Sequence, residues 1–211
     1  MEIKEFIDYF KNSDIEQKQI EAVYSLLSRL GEYHPQTLEH SLRVGNLCSH
    51  IVDIRNKNML AGFYSSLHDI GKISIPLELL EKKEGFDERD REIIKKHVFE
   101  GYRILLENEL PFGAWIALTH HRFQPRFYPT DEEMALYPFP IFNANPSTRL
   151  LADNWACLTA LADSYDAAKK RKNDKFNGKI PSSEELKDWL KNQYPSMNLV
   201  IEESYRRRIF L

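Results

Sequence analysis

The chain has 211 residues, of which 42% are hydrophobic, enough for one domain with an extensive buried core. Its net charge of -3 at pH 7 excludes the cationic surface that binders of long nucleic acids use. The opening Met1 to Glu5 is charged and has no signal-peptide core, no apolar run is long enough to span a bilayer, and Cys48 and Cys157 have no zinc-knuckle spacing. We therefore expect a cytoplasmic protein that binds neither long nucleic acid nor a membrane.

Hydrophobic periodicity predicts helices along nearly the whole chain, and no alternating strand pattern competes with them. A proline-rich and aromatic stretch, 122–146, is expected to be irregular. The predicted helices cover 2–11, 15–30 (ended by Gly31), a segment from Pro35, a segment ending at His68, 87–107, 111–121, 147–170 and a segment that begins at the capping sequence of Ser182. The expected fold class is all-α.

Residues His68 and Asp69 follow an apolar stretch, where a helix gives way to a turn. Imidazole and carboxylate suit borderline divalent metals, and Lys72, three residues later, suits a phosphate oxygen. A His-Asp pair occurs often by chance, however, and the default interpretation is a surface pair. Whether His68 and Asp69 form a site depends on the positions of the other histidines in the predicted helices.

Four histidines from separate predicted helices are expected to point inward: His40, His68, His97 and His120. One histidine on an apolar face is more often a hydrogen-bonded core residue than a ligand, by roughly three to one. Several such residues would each need a polar partner of their own in the core. A shared metal centre would satisfy all of them together.

Five segments, taken in order, resemble the HD phosphohydrolase superfamily and in particular its HD-GYP branch. They are 39–44 (EHSLRV), 68–73 (HDIGKI), 94–97 (IKKH) with Gly101, the pair His120-His121, and 162–167 (ADSYDA). The resemblance spans about 36–190 and implies an all-α HD-domain helical bundle with short N-terminal helices and a C-terminal helical extension. We expect 1–33 to be an N-terminal helical segment and 34–211 the HD domain.

The resemblance also implies a metal-dependent phosphodiesterase with a binuclear centre. The donor chemistry favours two divalent transition-metal ions, namely iron, manganese, nickel or zinc. Asp69, as the bridging ligand, and Lys72, which would stabilise charge on the phosphoryl oxygens, are the predicted catalytic residues. The predicted metal ligands are His40, His68, Asp69, His97, His120, His121 and Asp163. The predicted substrate-binding residues are Lys72, Arg122, Arg126, Tyr128, Arg171, Lys172 and Lys175.

Two of these assignments have alternatives. Asp153 sits in a similar motif ten residues before Asp163. We favour Asp163, which shares a face with small residues, because Asp153 has Arg149 one turn before it as an ion-pair partner. For the basic residues at 169–172, capping of a helix C-terminus is as probable as substrate binding.

The segment after His121 departs from the family pattern. Residues 122–129 (RFQPRFYP) lack the glycines of the family loop and keep only its final Tyr-Pro. Glycines give such a loop its conformational freedom, so we expect phosphodiester hydrolysis to persist with a weakened preference for cyclic di-GMP. The expected ligand is a small phosphorylated molecule, with a cyclic dinucleotide as candidate. An HD hydrolase of another nucleotide or phosphomonoester, a metal-binding but catalytically silent signalling module, and a homo-oligomer stay open.

Overall fold

The structure is a computed structural model that describes residues 1–54, 60–124, 127–141, 143–170, 176 and 178–210. Within these ranges the fold is all-α, as the sequence predicts. The helices are α1 (Ile3–Asp8), α2 (Gln17–Tyr33), α3 (Pro35–Ile54), α4 (Leu60–Ser65), α5 (Leu77–Leu80), α6 (Glu88–Lys95), α7 (His97–Glu107), α8 (Pro111–Thr119), α9 (Asp131–Met134), α10 (Pro146–Lys170), α11 (Ser183–Gln193) and α12 (Asn198–Arg206). Short 3-10 turns cover Ile70–Ser74, His120–Phe123 and Pro195–Met197.

Several helices begin at capping residues that the sequence shows. Ser182 accepts a hydrogen bond from the backbone of Glu185, whose carboxylate accepts one from the backbone of Ser182. Asp87 and Asp90 make the same reciprocal pair at the start of α6. Pro111 occupies the first turn of α8, where a missing N–H costs nothing. These caps satisfy backbone donors that a helix start leaves without partners.

Several predicted helix boundaries are wrong: the helix expected over 2–11 ends at Asp8, and the one expected over 111–121 ends at Thr119. Gly31 does not end the second helix, which continues to Tyr33. Glycine instead allows close packing there, because a Cβ at Gly31 would lie 2.6 Å from Leu38. The helix expected over 87–107 is divided at Lys96, whose N–H bonds to the carbonyl of Ile93, three residues back. Such bonds tighten the last turn of a helix, and α7 therefore starts at His97.

The central helices α3, α4, α7, α8 and α10 enclose one hydrophobic core, and the terminal helices add to it. From α1 and the turn after it, Phe6 and Phe10 pack against each other, and Phe10 packs against Phe63 of α4. At the other end of the chain, Phe210 stacks on Tyr165 of α10 with ring centroids 4.1 Å apart. The division of the chain at residue 34 stays a prediction. None of the helices in the described ranges is long and apolar enough to cross a membrane.

Candidate metal centre

The turn from His68 to Ser74 carries the central carboxylate of the candidate site. It follows α4 directly, and its backbone is fixed by the N–H of Lys72, which donates to the carbonyl of Asp69 at 2.9 Å. Gly71 is the point of closest approach to α7: a Cβ there would lie 1.9 Å from the carbonyl oxygen of His97 and 2.5 Å from the amide nitrogen of Gly101. The absence of a side chain at residue 71 therefore lets the turn lie against α7, with Asp69 beside His97.

A first group of side chains comes from α3, the turn and α10. His40 Nε2 lies 3.0 Å from Asp163 Oδ1 and 3.8 Å from Asp69 Oδ2. His68 Nε2 lies 3.4 Å from the same oxygen of Asp69. The ligand-capable atoms of His40, His68 and Asp69 lie within 4.8 Å of one another. This group can hold one metal ion.

A second group adjoins the first and consists of His97, His120 and His121, whose ligand-capable nitrogens also lie within 4.8 Å of one another. The rings of His120 and His121 are 4.0 Å apart, and that of His97 is 5.6 Å from His120. His97 Nε2 lies 3.4 Å from Asp69 Oδ1. Asp69 therefore turns one carboxylate oxygen toward each group.

Hydrogen bonds to the backbone fix the orientation of three imidazoles. In each, Nδ1 lies 2.7–3.0 Å from a carbonyl oxygen three residues earlier, pairing His68 with Ser65, His97 with Ile94 and His120 with Ala117. A carbonyl only accepts, so Nδ1 carries the proton and Nε2 keeps its lone pair. Metal-binding histidines are held in this way.

Ring nitrogens without hydrogen-bond partners indicate that the site binds a ligand. The Nε2 atoms of His68, His97 and His120 and the Nδ1 atom of His121 are buried and have no hydrogen-bond partner within the described part of the chain. Burial of an unpaired polar atom costs free energy. Four such atoms around two carboxylates fit metal coordination, which would satisfy all of them.

One important residue was missed from the sequence-based set of site residues. Asp166 Oδ2 lies 2.8 Å from His40 Nδ1, and Arg43 binds both oxygens of Asp166 at 2.7 and 2.9 Å. Burial alone would lower the pKa of His40, but Asp163 and Asp166 outweigh it and raise the pKa to about 9. The sequence spacing could have identified Asp166, since it lies three residues after Asp163 and residues three apart share a helix face.

The electrostatics favour the metal-binding protonation states of Asp69, His97 and His120, whereas His40, with its pKa of about 9, would have to lose a proton to bind metal. Burial would raise the pKa of Asp69, but the charge of Lys72 and the contact with His68 hold it well below its ordinary value. Burial lowers the pKa of His97 to about 3 and also lowers that of His120. At neutral pH the carboxylate is therefore ionised and these imidazoles are neutral, which are the ligand forms.

Two of the predicted substrate-binding residues, Lys72 and Tyr128, contact residues of the centre, whereas Arg122 bonds within its own loop. Lys72 Nζ lies 2.6 Å from Asp69 Oδ2. The ring of Tyr128 stacks on that of His121 with centroids 4.4 Å apart. Arg122 donates to the carbonyl of Pro129 at 2.5 Å and to Asp131, so it holds its own loop. Arg126, Arg171, Lys172 and Lys175 lie outside the described residues.

The two candidate aspartates of α10 have different surroundings. Asp163 lies in the first group, whereas Asp153 accepts a hydrogen bond of 2.7 Å from Trp115 Nε1. The expected ion pair between Asp153 and Arg149 is wrong, because the Arg149 guanidinium lies over the ring of Trp115 instead, 5.5 Å from its centroid. Only Asp163 is placed with the histidines.

Comparison with known proteins identifies the family to which this chain belongs. The family model of the HD domain matches residues 37–168, more than half of the chain. This chain belongs to the HD domain family. The resemblance that the sequence motifs carry is thereby confirmed.

Curated relatives of this HD domain include enzymes that act on cyclic dinucleotides. It is 31% identical over 208 residues to a cyclic di-GMP phosphodiesterase of Thermotoga maritima, covering 88% of this chain and 51% of the relative. It is 28% identical over 170 residues to the cyclic di-GMP phosphodiesterase response regulator RpfG of Xanthomonas campestris, covering 72% of this chain and 45% of the relative. The chain thus spans about half the length of these relatives.

A solved structure shares the fold. The HD domain of the phosphodiesterase PgpH from L. monocytogenes, in complex with cyclic-di-AMP, aligns with a TM-score of 0.57 at 24% identity. The alignment covers 83% of each chain. At this identity the likeness shows that the helices of the two HD domains are arranged alike, which confirms the predicted helical bundle.

Proposed function

We propose that this HD domain is a metal-dependent phosphodiesterase that hydrolyses a cyclic dinucleotide at a centre of two divalent ions. The observation that carries the proposal is the set of buried, unpaired imidazole nitrogens gathered around Asp69. The relatives support the reaction class, because those of T. maritima and X. campestris are named cyclic di-GMP phosphodiesterases.

The residues present fit two transition-metal ions. One ion would be held by His40, His68 and Asp163, and the other by His97, His120 and His121, with Asp69 contributing an oxygen to each. Imidazole-rich sites suit iron, manganese, nickel or zinc, whereas magnesium prefers oxygen ligands and keeps several waters. Asp166 would act as the partner that holds His40 in its ligand orientation.

Divalent ions bound in this centre supply a water of lowered pKa and a Lewis acid for the phosphoryl oxygens. The side chains of the protein supply the remaining electrostatics. Lys72 lies at the edge of the centre with its side chain 23% exposed, so a substrate phosphate can reach it. Its ammonium would stabilise the negative charge that develops on the phosphoryl oxygens during attack.

The substrate-binding roles are proposals of the same kind. Tyr128 lies on His121, at the boundary of the centre, where it would contact a bound nucleotide. Arg122 would act through the loop that it holds and Lys72 by direct contact. Among the four basic residues outside the described ranges, the role proposed for Arg171, Lys172 and Lys175 rests on the family resemblance, and that of Arg126 rests on its charge.

The decisive experiment combines metal analysis with turnover. Purified protein is reconstituted anaerobically with iron or manganese, analysed for metal, and assayed on bis(p-nitrophenyl) phosphate, cyclic di-GMP and cyclic di-AMP. We expect two equivalents of metal and turnover of the chromogenic diester and at least one cyclic dinucleotide. Metal binding without turnover of any diester would instead support a silent signalling module, and activity on monoesters alone would support the other class of HD hydrolase.

A further inference from the structure

A cavity of about 440 Å³ lies between α8, the 3-10 turn His120–Phe123, α9 and the first turns of α10. This volume is within the range of small-molecule sites. The lining combines two arginines, two aspartates, two aromatic rings, a methionine and a threonine: Arg122, Arg149, Asp131, Asp153, Trp115, Phe123, Met134 and Thr119. None of the predicted metal ligands is among these residues, so the cavity is a different place from the metal centre.

The cavity is separated from the metal centre along α10. Asp153 lines the cavity and Asp163 lies in the centre, and the ten residues between them on this helix correspond to about 15 Å along its axis. Arg149 lies about one turn further still from Asp163. A molecule in the cavity can therefore bind without touching metals at the centre.

Arg149 presents a guanidinium group that aromatic rings hold in place. It lies 5.5 Å from the ring centroid of Trp115 and 5.8 Å from that of Phe139. Trp115 is itself buried and fixed, because its Nε1 donates to Asp153 at 2.7 Å. Arg149 makes no ion pair with any residue that the structure describes. Its planar fork of N–H donors is thus oriented and available to an oxyanion.

Arg122 is the second cation of the cavity, and its present partner is exchangeable. Its guanidinium donates to the carbonyl of Pro129 at 2.5 Å and pairs with Asp131, whose side chain is 84% exposed. Exposed ion pairs contribute little free energy, so a phosphate can take the place of Asp131 while the bond to Pro129 keeps the arginine in position. Two guanidinium groups at one cavity suit the oxygens of a phosphate group.

We propose that this cavity is a binding site for a sugar phosphate, a ligand that the proposed function does not involve. The phosphate binds to Arg122 and Arg149. Asp153 uses Oδ1 to accept the indole hydrogen bond, and Oδ2 has no donor within the described part of the chain, so it can accept from a sugar hydroxyl. Phe123 and Met134 offer apolar contact to the carbon atoms of the sugar.

The test counts the ribose 5-phosphate molecules that metal-loaded protein binds in a calorimetric titration. The metal centre can bind a phosphate as well, so the comparison is between proteins with the same centre. Arg149→Ala is expected to bind one equivalent fewer than the wild type. Arg103→Ala is the matched control, since Arg103 is an exposed helical arginine that lies outside the cavity and pairs with Glu100 and Glu107. It should bind as the wild type does.

Two further measurements identify the ligand class and the place of binding. In the wild type, ribose 5-phosphate should bind more tightly than inorganic phosphate, and Asp153→Asn should reduce this preference, because a neutral amide oxygen accepts a hydrogen bond less strongly than a carboxylate. In the NMR spectrum of zinc-loaded protein, the indole N–H resonance of Trp115, assigned with Trp115→Phe, should shift on titration. The shift should be absent in Arg149→Ala, whose spectrum also reports whether the variant is folded.

The outcomes are distinguishable. Equal numbers of bound ribose 5-phosphate molecules with equal affinities in the wild type and Arg149→Ala, or no binding to either, would overturn the site. Equal affinity of the wild type for ribose 5-phosphate and for inorganic phosphate would overturn the assignment to sugar phosphates. If the metal-loaded wild type cleaves no diester, the proposed function fails, whereas the loss of one equivalent in Arg149→Ala still supports this site.

Discussion

Each histidine that faces the centre uses the two nitrogens of its ring for different purposes. In His68 and His97, Nδ1 is tied to the carbonyl of the preceding turn, and Nε2 is left facing Asp69. The backbone therefore selects the tautomer and aims the lone pair before any ligand arrives. Asp69 faces histidines of both groups because its two oxygens diverge. The donor geometry is thus set by main-chain hydrogen bonds as much as by side-chain identity.

The assignment of the α10 ligand can be tested by comparing two aspartates. Asp163→Ala should lower the metal content of reconstituted protein, because it removes the carboxylate 3.0 Å from His40 Nε2. Asp153→Ala should leave metal content nearly intact, since it loses only the hydrogen bond from Trp115. Elemental analysis of both variants measures this. The reverse pattern would transfer the ligand role to Asp153.

Asp166 should affect metal affinity without being a ligand. Asp166→Asn keeps the size of the side chain but weakens its hold on His40 Nδ1 and on Arg43. Loss of such a supporting partner typically lowers metal affinity about 10- to 100-fold. Competition with a chelator of known affinity would measure the change. Affinity equal to that of the wild type would show that His40 needs no carboxylate to hold it.

Lys72 should matter for turnover more than for metal binding. Lys72→Ala removes the ammonium beside Asp69, so transition-state stabilisation should fall by about 2–4 kcal/mol while both metals stay bound. Steady-state kinetics on bis(p-nitrophenyl) phosphate, with metal content measured in parallel, checks this. Lys4→Ala, on the exposed face of α1, is the control. Activity lost only in proportion to metal would show that Lys72 serves the ligands and not the reaction.

At the scale of helices, the sequence predicted which elements exist better than where they end. The capping sequence at Ser182 and the proline of α8 act within one helical turn, so both starts were predictable. The division at Lys96 was not, because the apolar stripe continues in phase from α6 into α7. Its cause is tertiary, since the backbone at His97 lies against Gly71 of a turn that is remote in sequence.

Loop contacts were the least predictable part of the candidate site. Arg122 carries charge suitable for phosphate, yet it bonds to Pro129 and Asp131 of its own segment. No periodicity indicates such contacts, because they depend on how an irregular segment turns back on itself. Asp163 was predictable, since its small-residue helix face continues into the core.

The contact between the turn and α7 gives a stability prediction with a matched control. Gly71→Ala would place a Cβ 1.9 Å from the carbonyl oxygen of His97, so the backbones must separate. We expect a loss of about 1–3 kcal/mol in the free energy of unfolding, together with reduced metal content. Gly113→Ala in α8 meets nothing closer than 3.6 Å and should be neutral or stabilising. Denaturant titration compares them, and equal midpoints would contradict the close contact.

At the scale of the whole molecule, the metal centre connects helices from distant parts of the chain. His40 is on α3, His97 on α7 and Asp163 on α10, and the core surrounds all three. Ligands that bind only the folded state stabilise it, and metal held by several helices does so cooperatively. Chelation should therefore lower the melting temperature of the entire domain. Calorimetry of metal-loaded and chelated protein would measure this, and coincident transitions would contradict it.

The chelated protein should in addition be sensitive to acid. Burial lowers the pKa of His97 to about 3 and lowers those of His120 and His121, so these rings stay neutral in the folded state below pH 6.5 while the unfolded chain takes up protons. Stability should then fall between pH 7 and pH 5, by roughly 1–2 kcal/mol for His97 and further through His120 and His121. His40 acts oppositely. Its pKa is raised to about 9, so its contribution is complete below pH 6.5 and is lost as the pH rises toward 9.

The expected result for chelated protein is a free energy of unfolding that is greatest near neutral pH and falls on both sides. Urea titrations between pH 5 and pH 9 would map it, with the metal-loaded protein as the control. Bound metal competes with protons for the same nitrogens, so the acid limb should move to lower pH when metal is present. A chelated protein that becomes more stable toward pH 5 would show that the three buried imidazoles accept protons in the folded state. In that case their ring nitrogens do not face one another as the structure places them.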